Sequence, residues 1–250
     1  MGVFDRLREA IEREERAVLF TIVEGEPVGA HMLVLEGGER VGDGIPEELA
    51  GRAEELIRAH RNQILDLGEQ RVFAEIYGPP PRLFVYGAVD TADSLCAAAR
   101  LLGWQTIVAD ARGKFATPER IPNADELIVA WPEEALARIE PDHATAVVVL
   151  THDDKFDVPA LKAALASEAF YVGALGSRRN QERRRERLLE SGVGEEEIER
   201  IHGPCGLDLG AESQPETALS ILAEVVAVRN DREGGPLKRS KQRIHAEVAE

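Results

Sequence analysis

Leu83-Phe84-Val85-Tyr86-Gly87-Ala88-Val89-Asp90 decides how this chain is read: a short apolar run delivers the backbone into a glycine. A helical pattern follows at once. Ala92, Leu95, Cys96, Ala99 and Leu102 fall at i, i+3, i+4, i+7 and i+10, one face of a helix. Thr106-Ile107-Val108-Ala109-Asp110 is the next strand. A strand, a glycine turn, a helix and a second strand within about 30 residues form the opening unit of a nucleotide-binding α/β sheet.

The alternation continues downstream. Leu127-Ile128-Val129, Ala146 to Leu150 and Phe170 to Leu175 predict strands, and Val158, Leu161 and Leu165 predict a helix between the last two. A final helix starts at Ser213, with Pro215 in its first turn and Glu216 three residues on to close a capping box. Its predicted buried stripe is Ala218, Ile221, Leu222, Val225 and Val226. The fold class is therefore α/β, a Rossmann-like doubly wound parallel sheet domain over 79–230.

Upstream the rhythm differs, and residues 1–78 predict a small α+β domain. Phe4, Leu7 and Ile11 mark an amphipathic helix, and Ala17 to Val23 a strand. Ala30 to Leu35 and the segment around Val41 flank Gly37-Gly38, a hairpin turn. Leu49, Ala53, Leu56, Ile57, His60 and Ile64 predict a second helix, and Arg71 to Tyr77 a strand. Pro79-Pro80-Pro81 can sit in neither a helix nor a central strand, so it reads as a semi-rigid linker. Residues 231–250 read as a polar tail carrying Lys238, Arg239, Lys241 and Arg243.

The net charge of −16 argues against sequence-independent binding of nucleic acid or of an anionic membrane, both of which reward a basic face. No apolar run approaches the roughly 20 residues of a membrane helix, and the first residues alternate charged and apolar groups unlike a signal peptide. The two cysteines, Cys96 and Cys205, form no CxxC or Cys/His cluster. The expectation is a cytoplasmic protein without membrane insertion.

A dinucleotide fingerprint needs three small residues after the first strand, here Gly87, Val89 and Ala92. Alanine is tolerated at the third. Val89 puts a β-branched side chain where a pyrophosphate approaches the backbone, and Asp90 adds negative charge at the helix N-terminus, where an anion is otherwise favoured. Asp110, ending the second strand, holds the usual ribose slot. The fold signal survives and the phosphate signal does not.

Arg82-Leu83-Phe84-Val85-Tyr86-Gly87-Ala88, Thr151-His152-Asp153, Gly173-Ala174-Leu175-Gly176-Ser177-Arg178-Arg179, Gly203-Pro204-Cys205-Gly206-Leu207-Asp208 and Pro215-Glu216-Thr217-Ala218-Leu219-Ser220-Ile221-Leu222-Ala223-Glu224 follow one another in that order. Together they resemble the Rossmann domain of the xanthine dehydrogenase accessory factors, the XdhC/CoxI family. Gly25-Glu26-Pro27-Val28-Gly29-Ala30-His31-Met32-Leu33-Val34 is similar to a shortened form of the family's first motif. The chain has Gly42-Asp43-Gly44-Ile45-Pro46-Glu47-Glu48 where the family carries Gly-Gly-Cys-x-Glu, and Gly-Ala-Val-Asp for Gly-Ala-Gly-His. Both altered motifs make it an atypical member.

The resemblance implies a non-catalytic accessory factor that binds molybdenum cofactor and helps sulfurate it or insert it into a molybdenum hydroxylase such as xanthine dehydrogenase. Its implied partners are that client enzyme and a cysteine desulfurase, with a homodimer as the implied assembly. The alternative is an NAD(P)-dependent oxidoreductase or a nucleotide-binding scaffold built on the same domain. Gly87, Asp110, His152, Asp153, Gly176, Ser177, Arg178, Arg179, Pro204, Gly206 and Glu224 are the candidate cofactor-binding residues.

Several of these admit two readings. His152, with Asp153, Asp154 and Asp157 close in sequence, suits a metal or a general base, or else the turn that caps the following helix. Gly176 and Ser177 with Arg178 and Arg179 suit a phosphate at a helix N-terminus, whereas Arg183, Arg184, Arg185 and Arg187 read as a solvated face. Cys205 is a soft ligand or sulfur carrier, or a small buried residue. Glu224 is a ligand contact or a structural partner.

Overall fold

The computed structural model of the chain describes residues 2–240. Lys241 and Arg243, half of the basic patch assigned to the tail, lie outside the described residues. The chain divides into two compact units, one ending at Pro79 and one spanning Pro80–Gly234, and the described residues from Gly235 group with the first.

The first unit begins with α1 (Val3–Glu12) and runs through β1 (Ala17–Glu24), β2 (His31–Leu35) and β3 (Arg40–Gly42). Two short helices follow, α2 (Glu47–Gly51) and α3 (Ala53–Ala59), then β4 (Gln63–Asp66) and β5 (Arg71–Tyr77). Its strands form one antiparallel sheet in the order β3-β2-β1-β5-β4. Strand side chains alternate between faces. Val18, Phe20 and Ile22 therefore meet Leu49, Leu56 and Ile57 on one side, while Ala17 and Leu19 meet Leu7 and Ala10 on the other.

Two expectations fail here. Ile64 belongs to β4, because the helix stops at His60, which adopts φ +50°. In α1 the buried face is Arg6, Leu7 and Ala10, whereas Phe4 and Ile11 are more than half exposed. Arg6 enters that face because Glu39 accepts from its Nε and Nη2, each at 2.9 Å.

The second unit contains β6 (Arg82–Tyr86), α4 (Asp90–Leu101), β7 (Gln105–Ala109), β8 (Glu126–Ile128), α5 (Pro132–Ile139), β9 (Thr145–Val149) and α6 (Asp154–Leu165). It closes with β10 (Tyr171–Ala174), α7 (Arg178–Glu190), α8 (Glu195–Glu199), β11 (Ile201–His202) and α9 (Gln214–Arg229). All pairings are parallel, in the order β11-β10-β9-β6-β7-β8. Counted from β6, this is the strand order of dinucleotide-binding domains, with the reversal between β6 and β9.

Every residue of β9 is buried, as a strand covered on both faces requires. Leu83, Val85, Ala146 and Val148 point to α4 and α9. Phe84, Tyr86, Val147 and Val149 point to α5, α6, α7 and α8. The capping box at Ser213 forms as the sequence predicts: its Oγ accepts from the Glu216 amide, and Glu216 Oε2 accepts from the Ser213 amide at 2.9 Å. Helices α5 and α8 and strand β11 were not foreseen. The signal for α5 was present in Pro132 followed by Glu133 and Glu134, a proline and acids in a first turn.

Candidate functional site

Because every strand of the second sheet runs the same way, the segments that follow β6, β7, β9, β10 and β11 emerge on one edge, the carboxyl edge where open α/β sheets bind ligands. Each segment carries sequence-predicted residues: Gly87, Asp110, His152 with Asp153, Gly176 to Arg179, and Pro204 with Gly206. The fold brings these segments to one edge.

The first of these loops is closed on itself. Gly87 sits at φ +113°, and a Cβ there would lie 2.8 Å from Thr151 Cγ2 and 3.1 Å from the Thr151 nitrogen. Glycine is required because the β6 and β9 ends pass this closely. The Gly87 amide donates to Ala109 O at 2.8 Å, the Ala88 amide to Asp110 Oδ2 at 3.0 Å, and the Val89 amide to Gly87 O at 2.9 Å. A phosphate arriving here would find the Gly87, Ala88 and Val89 amides engaged and the Asp90 carboxylate at the helix start.

Asp110 is the reason. It is 1% exposed and receives the Ala88 amide, the Arg112 amide at 2.9 Å, and Arg112 Nε and Nη2 at 2.9 and 2.8 Å. Burial alone would raise its pKa, but Arg112 and the two amides outweigh it and hold the carboxyl below the ordinary aspartate range. Both oxygens in the ribose slot are thus committed to the loop and to Arg112.

His152 is exposed, and Asp153 caps α6, accepting from the Lys155 amide at 3.2 Å and pairing with Lys155 Nζ at 3.1 Å. Asp157, in the first turn of α6, turns inward. Asp157 accepts from Thr151 Oγ1 and from Arg184 Nη2, the latter at 2.7 Å. Arg184 also donates to Leu175 O at 3.0 Å and to Gln181 Oε1 at 2.5 Å, and Gln181 Nε2 donates to Ala174 O at 3.0 Å. Arg184 is therefore buried, contrary to the solvated face read from sequence, because one position of α7 faces the carboxyl edge from within. Among the described residues, no group of three His, Cys, Asp or Glu side chains is placed to hold a metal.

Gly176, at φ +139°, leads into α7, where Ser177 Oγ accepts from the Asn180 amide at 3.3 Å. Arg178 and Arg179 are exposed, and among the described residues neither has an ion-pair partner. The first amides of a helix lack intrahelical acceptors, so this turn combines free donors with uncompensated positive charge.

The last loop is held from below. Glu224 Oε2 accepts from Tyr171 Oη at 2.5 Å and from the Gly206 amide at 2.8 Å, while Oε1 lies 3.5 Å from His202 Nδ1. The His202 ring stacks on Tyr171 with centroids 4.5 Å apart. Burial pushes the Glu224 pKa up, but contacts from His202, Tyr171 and Gly206 outweigh it, and the carboxyl sits below its usual range. These contacts give Glu224 its structural partners. Gly206, at φ +109°, has no room for a side chain, since a Cβ would lie 2.5 Å from Ser220 Oγ. Pro204 follows a cis peptide bond in the same loop.

The chemistry of these groups can be matched to molybdenum cofactor. Its phosphate suits the open first turn of α7 with Arg178 and Arg179. Cys205 is buried beneath its loop, and burial pushes its thiol pKa up to about 12, the setting of a small core residue. Sequence reasoning missed the roles of Arg112, Tyr171, Arg184 and His202: Arg112 lies two residues from Asp110 in a segment that carries no motif, and the carboxylate partners of the other three are distant in the chain.

Fold and edge together define a Rossmann-type domain with its candidate site residues in the segments that leave the carboxyl edge. Residues 83–225 match the family model described as the XdhC Rossmann domain, and the chain belongs to that family. It is 34% identical over 171 residues to an uncharacterized protein, YqeB, of Escherichia coli K12, covering 67% of this chain and 31% of that one. It is 33% identical over 158 residues to a probable xanthine dehydrogenase subunit of Bacillus subtilis 168, covering 63% and 46%. It is likewise 33% identical over 157 residues to the molybdenum cofactor insertion chaperone PaoD of Escherichia coli K12, covering 63% and 43%. The chain thus spans less than half the length of these curated relatives.

A crystal structure described as that of a xanthine dehydrogenase from Bacillus halodurans shares the fold, with a TM-score of 0.66 at 24% identity over 94% of this chain and 65% of that one. Among the described residues no helix is long and apolar enough to cross a membrane.

Proposed function

We propose that this protein binds molybdenum cofactor at the carboxyl edge of its second sheet and, without catalysing a reaction itself, delivers it to a molybdenum hydroxylase of the xanthine dehydrogenase type. A cysteine desulfurase would supply the sulfur that completes the cofactor before delivery, and two copies of the chain would act together. The observation that carries this reading is the contrast between two loops. The loop after β6 has spent its Gly87, Ala88 and Val89 amides internally and starts its helix with Asp90, whereas the first turn of α7 carries Arg178 and Arg179 and no acid, leaving donors and positive charge open for an anion. The names of the relatives point the same way. That contrast also disfavours the nicotinamide alternative, which needs the first loop for its pyrophosphate.

Titrating the purified protein with molybdenum cofactor, and separately with NAD(H) and NADP(H), tests the reading. Saturable binding of the cofactor alone is expected. Nicotinamide binding without cofactor binding would replace this function with an oxidoreductase, and binding of neither would leave a scaffold.

A further inference from the structure

At the reversal point between β6 and β9 lies a cavity of about 300 Å³ lined by Val89, Arg112, Leu150, Thr151, His152, Asp153 and Phe156. We infer that it holds a planar heteroaromatic ring of the pterin or purine kind; the inference rests on the proposed cofactor reading and names the part of the ligand seated there.

The walls argue for a ring rather than a phosphate. Val89 replaces the second glycine of the fingerprint, and its side chain forms one side of the cavity. The residue that closes the phosphate route therefore supplies apolar surface. Leu150 and Phe156, both buried, continue that surface. Three amides of the adjoining first loop and both oxygens of Asp110 are satisfied internally, so that loop offers little to a charged oxyanion.

What remains open toward the cavity is flat and polar. The Arg112 guanidinium is held by Asp110 against the Phe115 ring, 4.3 Å from its centroid, and 5.5 Å from that of Phe156. Its side chain is 39% exposed, and His152 and Asp153 are exposed beside it. A guanidinium plane and an imidazole can stack on a heterocycle, and a carboxylate can accept its ring N–H groups. The volume is at the low end for small-molecule sites, enough for one ring system and too small for a dinucleotide. An anionic substituent would extend toward Ser177–Arg179 on the neighbouring strand end.

Trp131 makes the test readable, because its ring centroid lies 5.3 Å from that of Phe156. The full chain is titrated by calorimetry with pterin, with adenine and with inorganic phosphate, while the Trp131 indole N–H resonance is followed. Saturable binding of a ring that shifts this resonance is expected, with affinity reduced at least tenfold in Val89→Phe, which fills the cavity. Should Val89→Phe fail to fold, His152→Ala, at an exposed position, is expected to weaken ring binding severalfold. Absence of ring binding, binding unchanged in the variant, or competition by phosphate alone overturns the inference. Molybdenum cofactor binding that survives Val89→Phe unchanged sinks the ring site and leaves the cofactor reading intact. Ring binding without cofactor binding does the reverse.

Discussion

Asp157 Oδ2 lies 2.7 Å from Arg184 Nη2, with both side chains almost wholly buried beneath the carboxyl-edge loops. The pair joins α6 to α7 and, through Thr151, Gln181 and the carbonyls of Ala174 and Leu175, ties the ends of β9 and β10 together. Removing one member of a buried pair leaves an uncompensated charge and costs about 3–5 kcal/mol. Arg184→Met is therefore expected to destabilise by about 3 kcal/mol. The double variant Asp157→Leu with Arg184→Met should recover much of that loss. Urea denaturation of the two singles and the double measures it, and strictly additive losses would show the two groups to be uncoupled.

Glu224 gives a pH dependence with a definite sign. Its folded pKa is depressed, so the stabilisation is fully present above the ordinary glutamate value of 4.5 and is lost as pH falls through the lower folded value. Glu224→Gln should cost roughly 1–2 kcal/mol near neutral pH, since the charged acceptor of Tyr171 and Gly206 is lost. It should also flatten the acid limb of stability. Thermal melts from pH 3 to 7 on both proteins test this, and parallel acid limbs would count against it.

What the sequence disclosed and what it concealed divide along the range of the interactions. Strand and helix periodicities around Leu83–Tyr86, Ala146–Leu150 and Ala218–Val225 are local patterns, so the doubly wound sheet could be read from them. The damaged loop was visible as Val89 and Asp90. Its cause of closure was not: the fingerprint spacing assigns Asp110 to a ribose, whereas the folded chain turns its carboxylate onto the Ala88 amide 22 positions away. Arg184 resembled its neighbours Arg183 and Arg185 in every sequence property, and only the packing of α7 against α6 makes it interior. Likewise Glu224 stood one residue off the apolar stripe, and its role emerged when β10, β11 and the Gly203–Gly206 loop converged on it.

The closed first loop predicts that restoring glycine will not restore a nucleotide site. In Val89→Gly the β-branched obstruction is gone, yet the Gly87 and Ala88 amides remain donated to Ala109 and Asp110. NADH binding should stay undetectable in a calorimetric titration of this variant. Binding in the micromolar range would mean that Val89 alone closes the loop and that the Asp110 contacts yield to a ligand.

Arg178 and Arg179 carry the last expectation, and its two readouts point in opposite directions. Both side chains are exposed, and neither has an ion-pair partner among the described residues, so replacing them should leave stability within about 0.5 kcal/mol of wild type. Helix formation should be unaffected, because the N-cap is Ser177 and alanine is the best helix former. Ligand binding should respond strongly. A charge-assisted contact to a phosphate contributes about 1.5–3 kcal/mol, so the double variant Arg178→Ala, Arg179→Ala should weaken molybdenum cofactor binding by at least tenfold. The remaining affinity should depend less on salt than that of wild type, as two cationic contacts are gone. Titrations at low and physiological ionic strength, with melts run in parallel, separate this from a folding defect. An unchanged affinity in a stable double variant would remove the first turn of α7 from the site.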